Sequence, residues 1–163
     1  MQARAIVIKG FVFVILFFLL HSAPARAWEG VVTGTPDGDS LKVKRGRRLV
    51  NIRLYGIDSP EYGQSCWQEA KGLTRALVLG KRVDIEPLDT DRYGRIVALV
   101  RCQGQLLNSE LVRQGLAWVY PWYCRAQPLC GDMQAMERAA RKEGLGLWRE
   151  RAPLPPWVWK RER

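Results

Sequence analysis

Two runs rich in valine, isoleucine, leucine and threonine, EGVVTGTPDGDSLKVK and RRLVNIRLYGI, are cut by Asp-Gly and Arg-Gly pairs. Such pairs reverse a chain within two residues, because glycine accepts the positive φ that a tight hairpin demands. The consequence is a meander of three strands ahead of everything else in the chain. CWQEAKGLTRALVLG follows with Trp67, Ala70, Leu73, Leu77 and Val78 at helical spacing and a stop at Gly80. KRVDIEPL and GRIVALVRC return to strand. NSELVRQG then reads as a short helix with Asn108 as N-cap and Gly115 as its end, and DMQAMERAARKEG as a third helix with Met133, Met136 and Ala140 turned inward. Strands first, one helix between the third and fourth, and helices afterward suit a closed barrel better than a parallel sheet. The expected class is α+β, mainly β: a five-stranded barrel of the oligonucleotide-binding type (OB-fold) with about three helices.

The ends of the chain carry other signals. Residues 1–27 hold Arg4 and Lys9, an apolar run from Phe11 to Leu20, and Ala25-Arg26-Ala27 where a signal peptidase reads small residues. This is the pattern of a secretory signal peptide, which predicts a mature start at Trp28 and export to the periplasm or beyond. The run is about half of the roughly 20 residues a membrane-spanning helix needs, so a permanent anchor is the weaker reading. The expected organisation is 1–27 leader, 28–148 barrel domain and 149–163 basic tail. The tail PLPPWVWKRER reads as a strap packed through Trp157 and Trp159, with Lys160 a peripheral cation.

Without the leader, which holds three basic residues and no acidic ones, the net charge of +10 becomes +7. That surplus points to a polyanionic partner, nucleic acid being the commonest, against the alternatives of solubility or adhesion to an anionic envelope. Export permits disulfides, and the cysteines number four. Cys124 and Cys130 bracket a short loop containing Pro128 and form the expected pair, leaving Cys66 and Cys102 to each other if the strands bring them close. Zinc is disfavoured, since no CxxC occurs and the one histidine, His21, lies in the leader.

Chemistry concentrates in NIRLYGIDSPEYG, where a strand breaks at Pro60 into a turn carrying Asp58 and Glu61. In PDGDS, Asp37 serves the turn, but Asp39 lies one residue beyond it with no local duty. A barrel makes the end of the first hairpin a neighbour of the third strand, which would set Asp39 beside Asp58. Two close carboxylates repel unless a cation lies between them. Oxygen donors without His or Cys favour a hard ion, Ca²⁺ ahead of Mg²⁺. Glu61, beside such an ion, could deprotonate a water. Arg53, read as inward-facing by strand alternation, becomes reasonable if it faces carboxylates at rest and a phosphate during turnover. In DTDRYGR, Arg95 opens an apolar strand and can fork onto phosphate, with Arg92 and Tyr93 beside it.

DGDS, RLYGIDSPE, TDRYGR and LNSELVRQGLAWVY, in this order and spacing, resemble the thermonuclease family, the calcium-dependent secreted nucleases of the staphylococcal nuclease type. The similarity runs from about Trp28 to Trp148. It implies an OB-fold barrel and hydrolysis of DNA and RNA to 3′-phosphate ends. By this resemblance Asp39 and Asp58 match the Ca²⁺ carboxylates, Ser59 the residue giving Ca²⁺ its backbone carbonyl, Glu61 the general base, and Arg53 and Arg95 the phosphate-binding arginines. Arg92, Tyr93 and Tyr123 match positions lining the nucleotide site. Departures are Ser59 in place of threonine, a shorter GQSCWQE loop, the added cysteines, and Pro121 where another nucleotide-site tyrosine is expected. The rival readings are a non-catalytic single-stranded nucleic-acid-binding module and a calcium- or envelope-binding structural domain. With no long apolar helix or heptad run, a monomer is the default.

Overall fold

A computed structural model describes residues 27–162, so residues 1–26, with the apolar run of the expected leader, lie outside the described residues. The meander forms as Trp28–Gly34 (β1), Ser40–Arg45 (β2) and Arg48–Leu54 (β3), paired antiparallel with Val32 opposite Val43 and Leu41 opposite Ile52. Then come Ile57–Asp58 (β4), Trp67–Val78 (α1), Arg82–Thr90 (β5), Ile96–Cys102 (β6), Gln105–Leu106 (β7) and Leu107–Arg113 (α2). Trp118–Val119 (β8), Leu129–Glu143 (α3), a 3₁₀ turn at Gly146–Arg149 and Pro156–Trp159 (α4) complete the described chain. β1 pairs on its other edge with β5, β5 pairs with β6, and β6 returns parallel to β3 with Ile52 beside Ile96. That last pairing closes a five-stranded barrel, the expected class. The short elements β4, β7 and β8, the 3₁₀ turn and the single turn of α4 are those that sequence periodicity did not announce.

Alternation along the strands supplies the core: Val32, Leu41, Val43, Ile52, Leu54, Ile85, Ala98 and Val100 are buried together. On α1 the fully buried stripe is Ala70, Thr74 and Val78, with Leu73 and Leu77 partly covered beside it. Thr74 takes a core position because its hydroxyl donates to the Gly38 carbonyl at 2.6 Å. Met133 and Ala140 of α3 face inward as expected, with Met136 at the margin.

Asn108 is not an N-cap. It lies within α2, completely buried, where its Oδ1 accepts from the Val100 amide at 3.1 Å and its Nδ2 donates to the carbonyls of Tyr55 (3.0 Å) and Ala98 (3.3 Å). Satisfying three backbone groups inside the barrel outweighs a cap, because an unpaired buried amide or carbonyl is costly. Gly115, at φ +67°, follows α2 as its stop.

Cys124 and Cys130 form the expected disulfide. Cys66 and Cys102 are separate buried thiols, and the reason is α1. Cys66 precedes its first turn, while Cys102 lines a small cavity with Leu77 and Val78 at its last. A helix of this length separates them by roughly 17 Å at about 1.5 Å per residue.

Candidate active site

Asp39 is aimed by a clamped turn. The Asp37 carboxylate accepts from the Asp39 amide at 3.1 Å, and Gly38 is pressed so tightly that an added Cβ would lie 2.9 Å from the Cβ atoms of Ala70 and Ser59. With Thr74 holding the Gly38 carbonyl, the turn is fixed against α1 and the loop after β4. Asp39 is left 1% exposed. Asp58 arrives from the other side. Gly56, at φ +74°, redirects the chain out of β3 into β4, which pairs Asp58 with Trp118 of β8 and buries its carboxylate. The Ser59 amide donates to Asp39 Oδ2 at 2.6 Å, tying the two loops together.

Arg53 lies between the two carboxylates. Its Nη1 pairs with Asp39, and its Nη2 with Asp58 Oδ1 at 2.5 Å and with the Ile57 carbonyl at 3.3 Å. The strand alternation needs correcting here. Ile52 and Leu54 point into the barrel, so Arg53 points to the opposite face, where carboxylates cover it in place of core side chains. Burial disfavours the guanidinium charge, but Asp39 and Asp58 more than reverse this and hold its pKa above the ordinary value. Burial pushes the Asp58 carboxyl up, aided by Asp39 and opposed by Arg53 and Lys160. Asp37 is raised to about 6, by burial and then by the Asp39 charge. Sequence reasoning assigned Asp37 to the turn alone; the structure makes it a further carboxylate at the site.

Glu61, half-exposed, is steadied through its amide, which donates to Gln64 Oε1 at 2.7 Å. Its Oε1 meets Lys160 Nζ at 2.8 Å, and the same ammonium lies 3.4 Å from Asp58 Oδ1. The tail cation that the sequence placed at the periphery is therefore inside the carboxylate cluster. The tail is held by Trp157, which stacks on Tyr120 at 5.1 Å and meets Trp118 and Trp122 edge-on.

Arg95 reaches the same face from the start of β6. Asp91 organises it, accepting from the amides of Tyr93 and Arg95 and from Arg95 Nε at 2.7 Å, and these bonds hold the Asp91 carboxyl low despite its burial. Arg95 Nη1 lies 3.5 Å from the hydroxyl of Ser40, the residue after Asp39. Arg92 and Arg95 both lie over the exposed Tyr93 ring. Tyr123 is exposed and tilts against Tyr120 at 5.0 Å. The structure thus joins Asp39, Asp58, Ser59 and Arg53 directly, adds Glu61 through Lys160 and Arg95 through Ser40, and leaves Arg92, Tyr93 and Tyr123 on an exposed rim. Sequence reasoning missed Asp91, although an acid four residues before an arginine was a readable signal. It also missed Tyr120, whose hydroxyl pKa is raised by burial and by Asp58.

The donor set suits a hard cation. Asp39 and Asp58 offer only oxygen; burial chiefly raises the Asp37 carboxyl, and the Asp39 charge raises it further, a repulsion that a cation would relieve. Among the described residues no three His, Cys, Asp or Glu side chains converge as a preformed cage. A divalent ion here would rest on the two aspartates together with backbone and water oxygens.

Comparison with known proteins agrees with this geometry. Residues 51–150 match the family model described as staphylococcal nuclease homologue. A protein of Escherichia coli named an uncharacterized endonuclease is 36% identical over 135 residues, covering 82% of this chain and 86% of its own. A micrococcal nuclease of Shigella flexneri is 34% identical over 153 residues, covering 88% and 87%. An uncharacterized endonuclease of Haemophilus influenzae is 37% identical over 150 residues, covering 91% and 82%. With most of each chain aligned, and a closed barrel carrying two buried aspartates across one arginine, this chain belongs to the staphylococcal nuclease family.

Proposed function

We propose that this endonuclease of the staphylococcal nuclease family hydrolyses the phosphodiester backbone of DNA and RNA with Ca²⁺ as its cofactor, little regard for sequence, and 3′-phosphate products. The observation that carries the reading is Arg53 held between Asp39 and Asp58, with Glu61 joined to the pair through Lys160 and Arg95 through Ser40. Asp39, Asp58 and the Ser59 carbonyl would hold the ion. Once bound, it supplies Lewis-acid stabilisation of charge on the attacked phosphate. Glu61 accepts a proton from the attacking water, whose oxygen bonds to phosphorus as the bond from phosphorus to O5′ breaks, and the departing O5′ takes up a proton from solvent. Arg53 and Arg95 meet the charge that develops on the phosphate oxygens. At rest, Arg53 spends its charge on the carboxylates, which keeps it pre-aimed. Tyr93, Tyr123 and Arg92 offer stacking and backbone contacts that carry little sequence information, so accessible unpaired strands are favoured. Residues 1–27 would direct export, and the domain would act as a monomer.

The decisive test incubates purified protein lacking residues 1–27 with DNA and with RNA, in Ca²⁺ and in EDTA, and identifies the new ends. Fragments with 3′-phosphates in Ca²⁺ alone are expected. Retained binding without cleavage would replace the enzyme with a non-catalytic single-strand-binding module. Full cleavage in EDTA would remove Ca²⁺ from the mechanism.

A further inference from the structure

The chain from Arg151 onward lies beyond the residues matched by the family model, yet it is built into the site. Pro156 is buried, and Trp157 is seated among Trp118, Tyr120 and Trp122. Trp118 is the residue that pairs with Asp58, so the strap docks on the strand that backs the site. One side chain links the strap to Glu61. The Gln64 amide nitrogen donates to the Leu154 carbonyl at 2.9 Å, while its oxygen accepts from the Glu61 amide at 2.7 Å. One turn of helix further on, Lys160 Nζ reaches Glu61 Oε1 at 2.8 Å and Asp58 Oδ1 at 3.4 Å. A lysine near a chain end is ordinarily a solvated charge, and freezing its long side chain is entropically unfavourable. Here the backbone that carries it is already fixed by Trp157 and Gln64.

We propose that Lys160 is a positioning residue of the nuclease site: the strap holds its ammonium against Glu61 so that the carboxylate is fixed toward the attacking water, and the same ammonium occupies the edge of Asp58 that an arriving Ca²⁺ must share. The inference rests on Glu61 being the base. Lys160 need not touch the substrate; it acts through Glu61, and its proximity to Asp58 makes it an electrostatic competitor of the incoming ion.

The test compares Lys160→Met, Lys160→Arg and the charge control Arg161→Met with the wild-type protein. kcat and KM are measured on a single-stranded oligonucleotide at saturating Ca²⁺. Ca²⁺ affinity is measured by calorimetry with no nucleic acid present, and thermal melting confirms that each variant is folded. Lys160→Met should lower kcat by about ten- to a hundredfold with KM nearly unchanged, the scale of a misplaced catalytic group. It should also bind Ca²⁺ severalfold more tightly, because a competing cation has left Asp58. Lys160→Arg should recover most of kcat, and Arg161→Met should match wild type. An unchanged kcat, a loss confined to KM, an unchanged Ca²⁺ affinity or an equal loss in Arg161→Met would each overturn the proposal. Failure of the nuclease reading itself would show separately, as a wild-type protein that does not cleave.

Discussion

Replacing Arg53 by methionine keeps much of the side-chain length and removes the charge that holds Asp39 and Asp58 together. Both carboxylates are almost fully buried, at 1% and 2% exposure, and they would keep the Ser59 amide on Asp39 and the Lys160 ammonium 3.4 Å from Asp58. Taking one partner from a buried ion pair costs about 3–5 kcal/mol, because the other charge is left uncompensated. Asp58 can lessen the loss by taking up a proton, since burial already pushes its carboxyl up. The lower end, about 3 kcal/mol, is therefore the expected destabilisation. For a domain of this size that corresponds to a melting point lower by roughly 10 °C. Differential scanning calorimetry at neutral pH in EDTA measures it. Adding Ca²⁺ to a hundred times its Kd should return about 2.7 kcal/mol by mass action. The double variant Arg53→Met with Asp58→Asn should be milder than Arg53→Met alone. An Arg53→Met protein that melts with the wild type in EDTA would refute the reasoning, since the aspartates would then need no counter-charge.

Asp37→Asn tests the adjacent carboxylate. With the Asp37 pKa raised from 3.8 to about 6 in the folded chain, its ionisation opposes folding above about pH 6, and that cost lifts as pH falls toward the unfolded value. The asparagine variant should accordingly be more stable than wild type in EDTA at neutral pH, by on the order of 1–3 kcal/mol, and equal to it below about pH 4; urea unfolding at both pH values decides. Glu61→Gln should lower turnover by about 10² to 10⁴ with oligonucleotide binding largely retained, and Arg95→Ala should lose a similar factor mainly in kcat; wild-type rates in both variants would withdraw their roles. Mass spectrometry of protein recovered from an exporting host should find Trp28 at the N-terminus and a mass consistent with one disulfide; retention of residues 1–27 would favour an anchor instead.

The barrel was legible because its cues are local. Tight turns at Asp-Gly and Arg-Gly, β-branched runs between them and Gly80 after a helical stripe each act within a few residues. The meeting of Asp39 with Asp58 was legible for a related reason, since closure brings the end of the first hairpin to the end of the third strand. The misread parts depend on contacts made across the fold. Alternation says which residues share a face, but not what covers the other one, so Arg53 was placed inward. Asn108 has the composition of a cap, yet three distant backbone groups claim it. The helix after Cys66 was legible, but not that Cys102 would pack at its far end. Lys160 belongs to no pattern at all, and its place follows only from the seat of Trp157.

The parallel seam between β3 and β6 sets Ile52 beside Ile96 and Arg53 beside Val97. Arg53 therefore belongs to one lip of the barrel's closure, and Arg95, one residue before Ile96, to the other. The separation of the two guanidiniums is set across this seam and across the β2–β3 pairing, which places Ser40, 3.5 Å from Arg95 Nη1, opposite Arg53. A molecule that parted at this lip could retain most of its helices and strands yet present the two arginines at the wrong span. The span between the two charges is thus a property of the barrel's circumference, set by how the sheet closes and not by either residue alone.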